Sequence, residues 1–377
     1  MIQKFVISNF RSIGPDTCIA PGRLSVFVGP NGAGKSNVLS ALSFLRDAVL
    51  LGLPAAVIHR GGIDAIRRRS KGRPFDVHLE LTVYHEDTKG TYAFVITGDK
   101  AEAYAVKSES AHISSPNGRV QFTRKAEKIS GLEGLAPRTD SQSLVMTSLG
   151  GDERFKPFVD YLSKIAVYSI FPDTLRLPQK FDLERPMRPH GENWVSILRE
   201  IDLDRKRDLV AALTKLTGDI SDIRVASAAQ YLVAEFRQET SRSNEKKWYE
   251  ADRQSDGTLR VAGLITALLQ QPPLSVVGIE EPELTVHPGA IPLLYDYLNQ
   301  ASEMSQVLFT THSPLILDVV DIDKVSLFSV DRLRGVTRVG AISDVQLEPV
   351  RKRLLRLGDL LVSRDLQLSL FDDEPEP

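Results

Sequence analysis

Residues Gly29-Pro30-Asn31-Gly32-Ala33-Gly34-Lys35-Ser36 fill the pattern G-x-x-x-x-G-K-[ST], after an apolar stretch and before a helix-forming one. Glycines let the backbone wrap a phosphate chain with its N–H groups, and the helix start that follows adds a field favourable to anionic oxygens. Lys35 would neutralise the outer phosphates, and the Ser36 hydroxyl would ligate Mg²⁺. A second element, Leu274-Ser275-Val276-Val277-Gly278-Ile279-Glu280-Glu281, is an apolar strand ending in two adjacent carboxylates. Ligands of α/β sheets bind at that end of a strand. Glu280 would stand near the metal and its water, and Glu281 would orient and deprotonate an attacking water. Taken alone, Glu-Glu-Pro-Glu also reads as a solvated turn; the phosphate loop is what favours the catalytic reading. Third, Thr310-Thr311-His312-Ser313-Pro314 follows another apolar strand, placing His312 where it can bond a terminal phosphate or the lytic water. Fourth, Ser255-Asp256-Gly257-Thr258 opens a helix and offers a further anion site. One chain holds one phosphate loop, so this surplus points to a second subunit.

These groups need a frame. Apolar strands are expected at 5–8 and 24–28, with a helix from Asn37 to about Leu51 behind the loop. Between 75 and 124, Val77, Leu79, Leu81 and Val83 alternate with polar residues, and Tyr92, Phe94 and Ile96 repeat the pattern, which predicts an antiparallel β subdomain. The polar, Gly/Ser-rich stretch from about Asn117 to Gly151 reads as a mobile loop region. Helical periodicity returns at 155–162 and at Leu209, Leu213 and Leu216, predicting a helical lobe. After Asp256 come a helix, the strand at 274–279, a helix at 291–302 and a strand at 307–310. Short apolar strands alternating with helices imply a parallel sheet covered on both faces. The core sheet is therefore expected to be assembled from both ends of the chain, with the β and helical segments inserted between. The tail, 371–377, is acidic and contains proline, and is expected to be disordered.

Composition narrows the field without choosing within it. The chain of 377 residues is 42% hydrophobic and 25% charged, enough for a large core. A formal charge of −2 gives no global attraction to nucleic acid, so such contacts must come from local patches. The single cysteine, Cys18, cannot form an internal disulfide, and no cysteine–histidine cluster has zinc-ligand spacing. These features favour a reducing cytoplasm. The N-terminus lacks a signal-peptide pattern and the apolar runs are shorter than a membrane span, so no membrane partner is expected.

The ordered set of phosphate loop (Walker A), Ser-Asp-Gly helix start, Glu-Glu-Pro-Glu (Walker B) and Thr-His-Ser-Pro resembles the ABC-type ATPase heads of the RecF and chromosome-maintenance (SMC) superfamily. It is similar above all to the small prokaryotic AAA family ATPases of that group, also found joined to OLD-type nucleases. Asn9-Phe10-Arg11-Ser12, His59-Arg60-Gly61-Gly62, and Glu281-Pro282-Glu283 followed by His287-Pro288 extend the likeness. The resemblance implies an α/β fold, an ABC-type P-loop NTPase head with a mixed or parallel core sheet, an inserted antiparallel β subdomain and a helical lobe. Its parts would be 1–72 (P-loop core), 73–151 (β subdomain and loop), 152–254 (helical lobe), 255–345 (signature, carboxylate and histidine core) and 346–377 (C-terminal helix and acidic tail) of one bilobed head. It implies ATP and Mg²⁺ as cofactors, with Gly29 to Asn37 and Arg11 on the nucleotide and Ser36 and Glu280 on the metal. Glu281 would be the base and His312 the switch histidine. Ser255, Asp256 and Gly257 would form the signature that meets ATP held by the other monomer of a homodimer. The sequence departs from the transporter-like Leu-Ser-Gly-Gly-Gln by carrying Asp256, and no glutamine after 165–170 takes the Q-loop role. From the distance between loop and signature no long coiled-coil arms are expected, and from the stretch after His312 no nuclease domain is expected.

In such heads ATP closure gates something else. One reading is a DNA-directed sensor in repair or anti-phage defence, acting through a separately encoded nuclease or toxin. Its local support is the run Arg60, Arg67, Arg68, Arg69, Lys71 and Arg73, which also reads as a solvated basic loop. Another is an ATP-dependent scaffold or inhibitor of a partner protein without DNA binding; a transporter motor subunit is a third, disfavoured by the signature. Finally, Gln367-Leu368-Ser369-Leu370-Phe371 resembles the short peptide that holds the bacterial sliding clamp, although leucines packing at a helix end explain it as well.

Overall fold

The alternation at 77–83 folds as expected. Val77, Leu79, Leu81 and Val83 are all fully buried along the strand Val77–His85, with polar neighbours on the other face. The computed structural model describes residues 1–98, 103–132, 134–135, 137, 139–239, 246–363 and 366. The chain divides into two compact units, one made of Met1–Ile165 with the chain from Ile322 onward, the other of Ala166–Asp321.

In the first unit a seven-stranded antiparallel sheet runs in the order Thr17–Ile19, Ile2–Ser8, Val77–His85, Thr88–Thr97, Ala105–Ser115, Gly118–Lys125, Lys128–Ser130. Its inner face meets the helix Lys35–Leu50 through aromatic rings: Phe44 lies 5.6 Å from Phe10 and 6.3 Å from Phe94, and Tyr92 continues the row to Phe158. Burying each such ring stabilises by roughly 1.5–3 kcal/mol. The same unit pairs the wholly buried strand Leu24–Val28 in parallel with Ser326–Leu333, which is antiparallel to Val336–Ala341. The helix behind the loop begins at Lys35, within the usual uncertainty of the expected start at Asn37.

The second unit holds the parallel pair Val276–Glu280 and Gln306–Thr311, in a register that sets Glu280 opposite Thr310. Strand Ile165–Tyr168 lies next to Val276–Glu280 in the strand order, and helices Asp256–Leu269 and Ile291–Ala301 belong to the same unit. The helix Leu203–Thr217 buries Leu209 and Leu213, as their spacing predicts, while Leu216 is half-buried.

Two expectations need correction. The stretch 117–151 is not one loop: it contains strands Gly118–Lys125 and Lys128–Ser130 and the helix Val145–Leu149. Its strand was hidden because the exposed face is polar and one of the buried positions between Val120 and Arg124 carries a charge. Nor is 152–254 purely helical. It contains an antiparallel sheet in which Tyr231–Glu239 pairs with Gln179–Lys180, Ile220–Ala228 and Lys246–Glu250. In Tyr231–Glu239 the buried Leu232, Ala234 and Phe236 alternate with Glu235 and Arg237, a two-residue period that the sequence does contain. The tail 371–377 and the clamp-like residues 367–371 lie outside the described residues. Among the described residues no helix is long and apolar enough to cross a membrane.

Arg124 explains part of the first correction. It is buried and donates to the carbonyls of Ala126, Ser143 and Asp140. Beside it Glu109, also buried, accepts from the Val145 and Met146 amides at 2.7 and 2.9 Å and from the Tyr92 hydroxyl at 2.9 Å. Burial pushes the Glu109 carboxyl above its ordinary range, against the pull of these donors. Glu109→Ala orphans all of them and is expected to cost about 2–4 kcal/mol of unfolding free energy. The isosteric Glu109→Gln keeps acceptor capacity and is expected to cost clearly less, as read from urea titrations; equal losses would contradict this role.

Candidate functional site

In the first unit Gly29–Ser36 forms the turn between the buried strand Leu24–Val28 and the helix Lys35–Leu50, as the motif requires. Pro30, Asn31 and Gly32 make an exposed crest, Ala33 is buried, and Ser36 and Asn37 are half-buried in the first helical turn. Gly34 has φ +103°, and a Cβ there would run into Thr337 Oγ1, so only glycine fits. Lys35 is folded back under the crest, its ammonium donating to the carbonyls of Gly29 at 2.9 Å and Pro30 at 3.1 Å. The loop itself thereby satisfies a buried cation.

What fixes the loop came from a part of the chain that the sequence did not flag. Thr337 Oγ1 donates to the Ala33 carbonyl at 2.7 Å and so must accept from Ser12 Oγ, also at 2.7 Å. Ser12 in turn accepts from Asn37 Nδ2 at 2.7 Å. The result is a directed chain, Asn37 to Ser12 to Thr337 to the loop backbone. It ties the helix start, the Asn9-Phe10-Arg11-Ser12 turn and the distant strand Val336–Ala341 to the crest.

Arg11 sits in the left-handed region at φ +52° and reaches Asn37 Oδ1 at 3.4 Å. Its backbone is held by the basic run: Arg11 N–H donates to Ile66 O, and Arg68 N–H donates to Asn9 O. Consequently the six cations do not form one exposed patch. Arg67 is buried, which pushes its guanidinium below its ordinary value. Arg68 donates to Asn9 Oδ1 and stacks 4.0 Å over Phe75. Arg60 pairs with Asp47 at 2.7 Å and lies over Phe44. Arg69, Lys71 and Arg73 are exposed.

In the second unit the ends of the parallel pair bring Glu281 and His312 together, with His312 Nδ1 2.8 Å from Glu281 Oε1. An ionised carboxylate only accepts, so His312 Nδ1–H is the donor in this contact. Glu281 has φ +44°, an unfavourable conformation for a residue with a side chain. Its N–H donates to Thr310, and its carbonyl accepts from Arg260 at 2.9 Å. Arg260 is 3% exposed and also donates to the carbonyls of Glu280 at 3.2 Å and Ile170 at 2.6 Å. Burial lowers its pKa, opposed by Glu283, Glu281 and Glu280. Glu283 accepts from Thr311 Oγ1 at 2.5 Å, and burial, with the Glu281 charge adding to it, raises its carboxyl above the ordinary range. Glu281 and His312 are both expected from the sequence, whereas their direct bond and Arg260 are not. The available signal was one arginine inside the apolar run Leu259–Leu269.

Five residues before Arg260, Ser255 caps the helix Asp256–Leu269, accepting from Thr258 N–H at 3.2 Å. Gly257 is required sterically, since a Cβ there would stand 2.7 Å from Thr285 O. Asp256 is exposed and pairs with Arg176 at 2.5 Å. Ser255, Asp256, Gly257 and Thr258 line an open cleft of about 570 Å³ with Thr285 and His287.

Comparison with known proteins gives this geometry a family. The family model described as "AAA domain, putative AbiEii toxin, Type IV TA system" matches residues 24–130 and 169–318. An OLD nuclease of Thermus scotoductus (strain ATCC 700910 / SA-01) is 25% identical over 357 residues, covering 88% of this chain. The chain spans 62% of that relative's length. Among solved structures, the SmcHead bound to the C-winged helix domain of ScpA has a TM-score of 0.57 at 16% identity, covering 93% of this chain and 99% of that one. The Smc head domain with an extended coiled coil bound to the C-terminal domain of ScpA, derived from Pyrococcus furiosus, has a TM-score of 0.54 at 14% identity, covering 94% and 99%. At these identities the solved structures speak for the fold, an SMC-head-like ABC ATPase fold. The family match covers well over half of the sequence, and this chain belongs to the AAA domain family.

Proposed function

We propose that the chain binds ATP with Mg²⁺, hydrolyses it, and works as a homodimer that closes around nucleotide. The observation that carries this reading is the Glu281–His312 pair, a carboxylate base oriented by an imidazole at the ends of two parallel strands. The loop supports it from the other unit. A loop exposed at Pro30, Asn31 and Gly32 with a lysine stowed beside it fits a phosphate chain, Lys35 exchanging the Gly29 and Pro30 carbonyls for phosphate oxygens. Mg²⁺ takes few protein ligands and keeps waters and phosphate oxygens, so one hydroxyl and one carboxylate, Ser36 and Glu280, suffice as donors. When bound, the metal would screen the charge of the phosphates.

In this reading Glu281 takes a proton from water, and His312 holds the carboxylate at the correct angle and presents Nε2 outward. Ser255 and Gly257, with the first turn of their helix, meet the triphosphate of a second copy. Asymmetric affinity of ATP for the closed dimer then makes nucleotide the switch. The closed state gates an effector, a nuclease or toxin, in DNA repair or anti-phage defence. Support for an effector comes from the names of the matches, a nuclease and a toxin–antitoxin system, and the solved SMC heads carry ScpA domains. DNA contact would use Arg69, Lys71 and Arg73, the exposed members of the basic run.

Three outcomes follow. Lys35→Ala is expected to abolish nucleotide binding, whereas Glu281→Gln keeps it and lowers hydrolysis about 10²–10⁴-fold, measured as phosphate release; a glutamine variant with full turnover would remove Glu281 as the base. Thr337→Val keeps the shape but leaves the Ala33 carbonyl unpaired, and is expected to weaken ATP binding about tenfold in calorimetry, given a loss of ~1–3 kcal/mol for an orphaned buried group. Undiminished affinity would mean that the loop holds itself. Replacing Arg69, Lys71 and Arg73 together by alanine is expected to weaken DNA binding and flatten its log–log salt dependence by about 2–3; an unchanged slope would place any DNA contact elsewhere.

A further inference from the structure

The signature carries a carboxylate where an anion is meant to arrive, and the structure holds the residue that answers it. Asp256 is the first residue of the helix Asp256–Leu269 and its side chain is more than half exposed. Helix N-termini favour acidic residues, so Asp256 suits the isolated helix. The same carboxylate would repel a triphosphate brought to that end. Arg176, the last residue of the short helix Pro172–Arg176, closes on it: Nη2 donates to Asp256 Oδ1 at 2.5 Å and to the Gln254 carbonyl at 3.0 Å, while Nη1 donates to Asp173 at 2.8 Å. The guanidinium is therefore anchored on the backbone beside Ser255 as well as on the carboxylate. Position 257 has no room for a side chain, whereas a carboxylate at 256 is accommodated with its own counter-charge. That difference accounts for a Ser-Asp-Gly sequence in place of Ser-Gly-Gly.

We propose that Arg176 is a positioning residue for nucleotide bridging: it neutralises Asp256 and lies beside Ser255, so that the first turn of the signature helix can accept the terminal phosphate of ATP held by a second copy. The inference rests on the dimer reading above and adds a residue to it. Arg176 makes Asp256 compatible with an incoming anion by keeping its charge balanced at the start of the signature helix.

The test is sedimentation velocity of the full chain carrying Glu281→Gln, with ATP and Mg²⁺. In that background Arg176→Ala is expected to weaken dimer association about tenfold or more, and Arg176→Lys less, since it keeps the charge. Adding Asp256→Asn to Arg176→Ala removes the unbalanced carboxylate and is expected to restore association to within about threefold of the parent, the non-additivity expected of a coupled pair. Melting temperatures without nucleotide separate a loss of association from a loss of fold, since the Arg176 side chain is about one-quarter exposed and also bonds the Gln254 carbonyl. Arg176→Ala dimerising like its parent overturns the inference, as does a loss that Asp256→Asn leaves in place. A Glu281→Gln parent that stays monomeric with saturating ATP overturns the dimer reading itself and this inference with it.

Discussion

Glu280, Glu281 and Glu283 stand within four residues at the end of a buried strand, and like charges so close must be held apart or matched. The second unit is organised around that constraint. Arg260 reaches out of an apolar helix to take the carbonyls of both Glu280 and Glu281, fixing the backbone from which two of the carboxylates project. His312 matches Glu281, and Thr311 matches Glu283, whose burial keeps its proton affinity high. The left-handed conformation at Glu281 is the local cost, on the order of 1 kcal/mol, and it is sustained by the Thr310 and Arg260 contacts on either side of that residue. Because Arg260 and Ser255 share one rigid helix, an anion seated at its start and the backbone of Glu281 are mechanically joined within this unit.

The first unit solves a parallel problem with polar neutral groups. A phosphate loop must be strained enough to present its amides and firm enough to hold that shape without ligand. Gly34 supplies the conformation, and the chain from Asn37 through Ser12 and Thr337 supplies the firmness. The Gly29 and Pro30 carbonyls receive the Lys35 ammonium.

Much of this was legible in the sequence. Local patterns carried it: the phosphate loop between a strand and a helix, the alternation at Val77–Val83, and the apolar strand before Glu280. What stayed hidden depends on distance or on faces that solvent sees. Nothing in Val336-Thr337 announces a bond to Ala33 some three hundred residues earlier. The strand Gly118–Lys125 offers only Val120 and Phe122 as apolar inward residues, since the third is Arg124. The basic run looked continuous as text, yet its members face different directions. Arg67 is buried, Arg60 and Arg68 brace neighbouring structure, and the remaining cations face water. Charge density along a sequence is a poor guide to charge density on a surface when the backbone of that segment is itself a brace for the turn bearing Arg11.

The account stands on one claim, that triphosphate gripped by the Gly29–Ser36 loop of one copy is completed by Ser255 of another. A crystal structure of Glu281→Gln grown with ATP and Mg²⁺ tests it most directly. The account predicts two copies with a γ-phosphate bonded both to Lys35 of one and to the Ser255 hydroxyl of its partner. Nucleotide bound to a single copy, with Ser255 facing solvent, would contradict it.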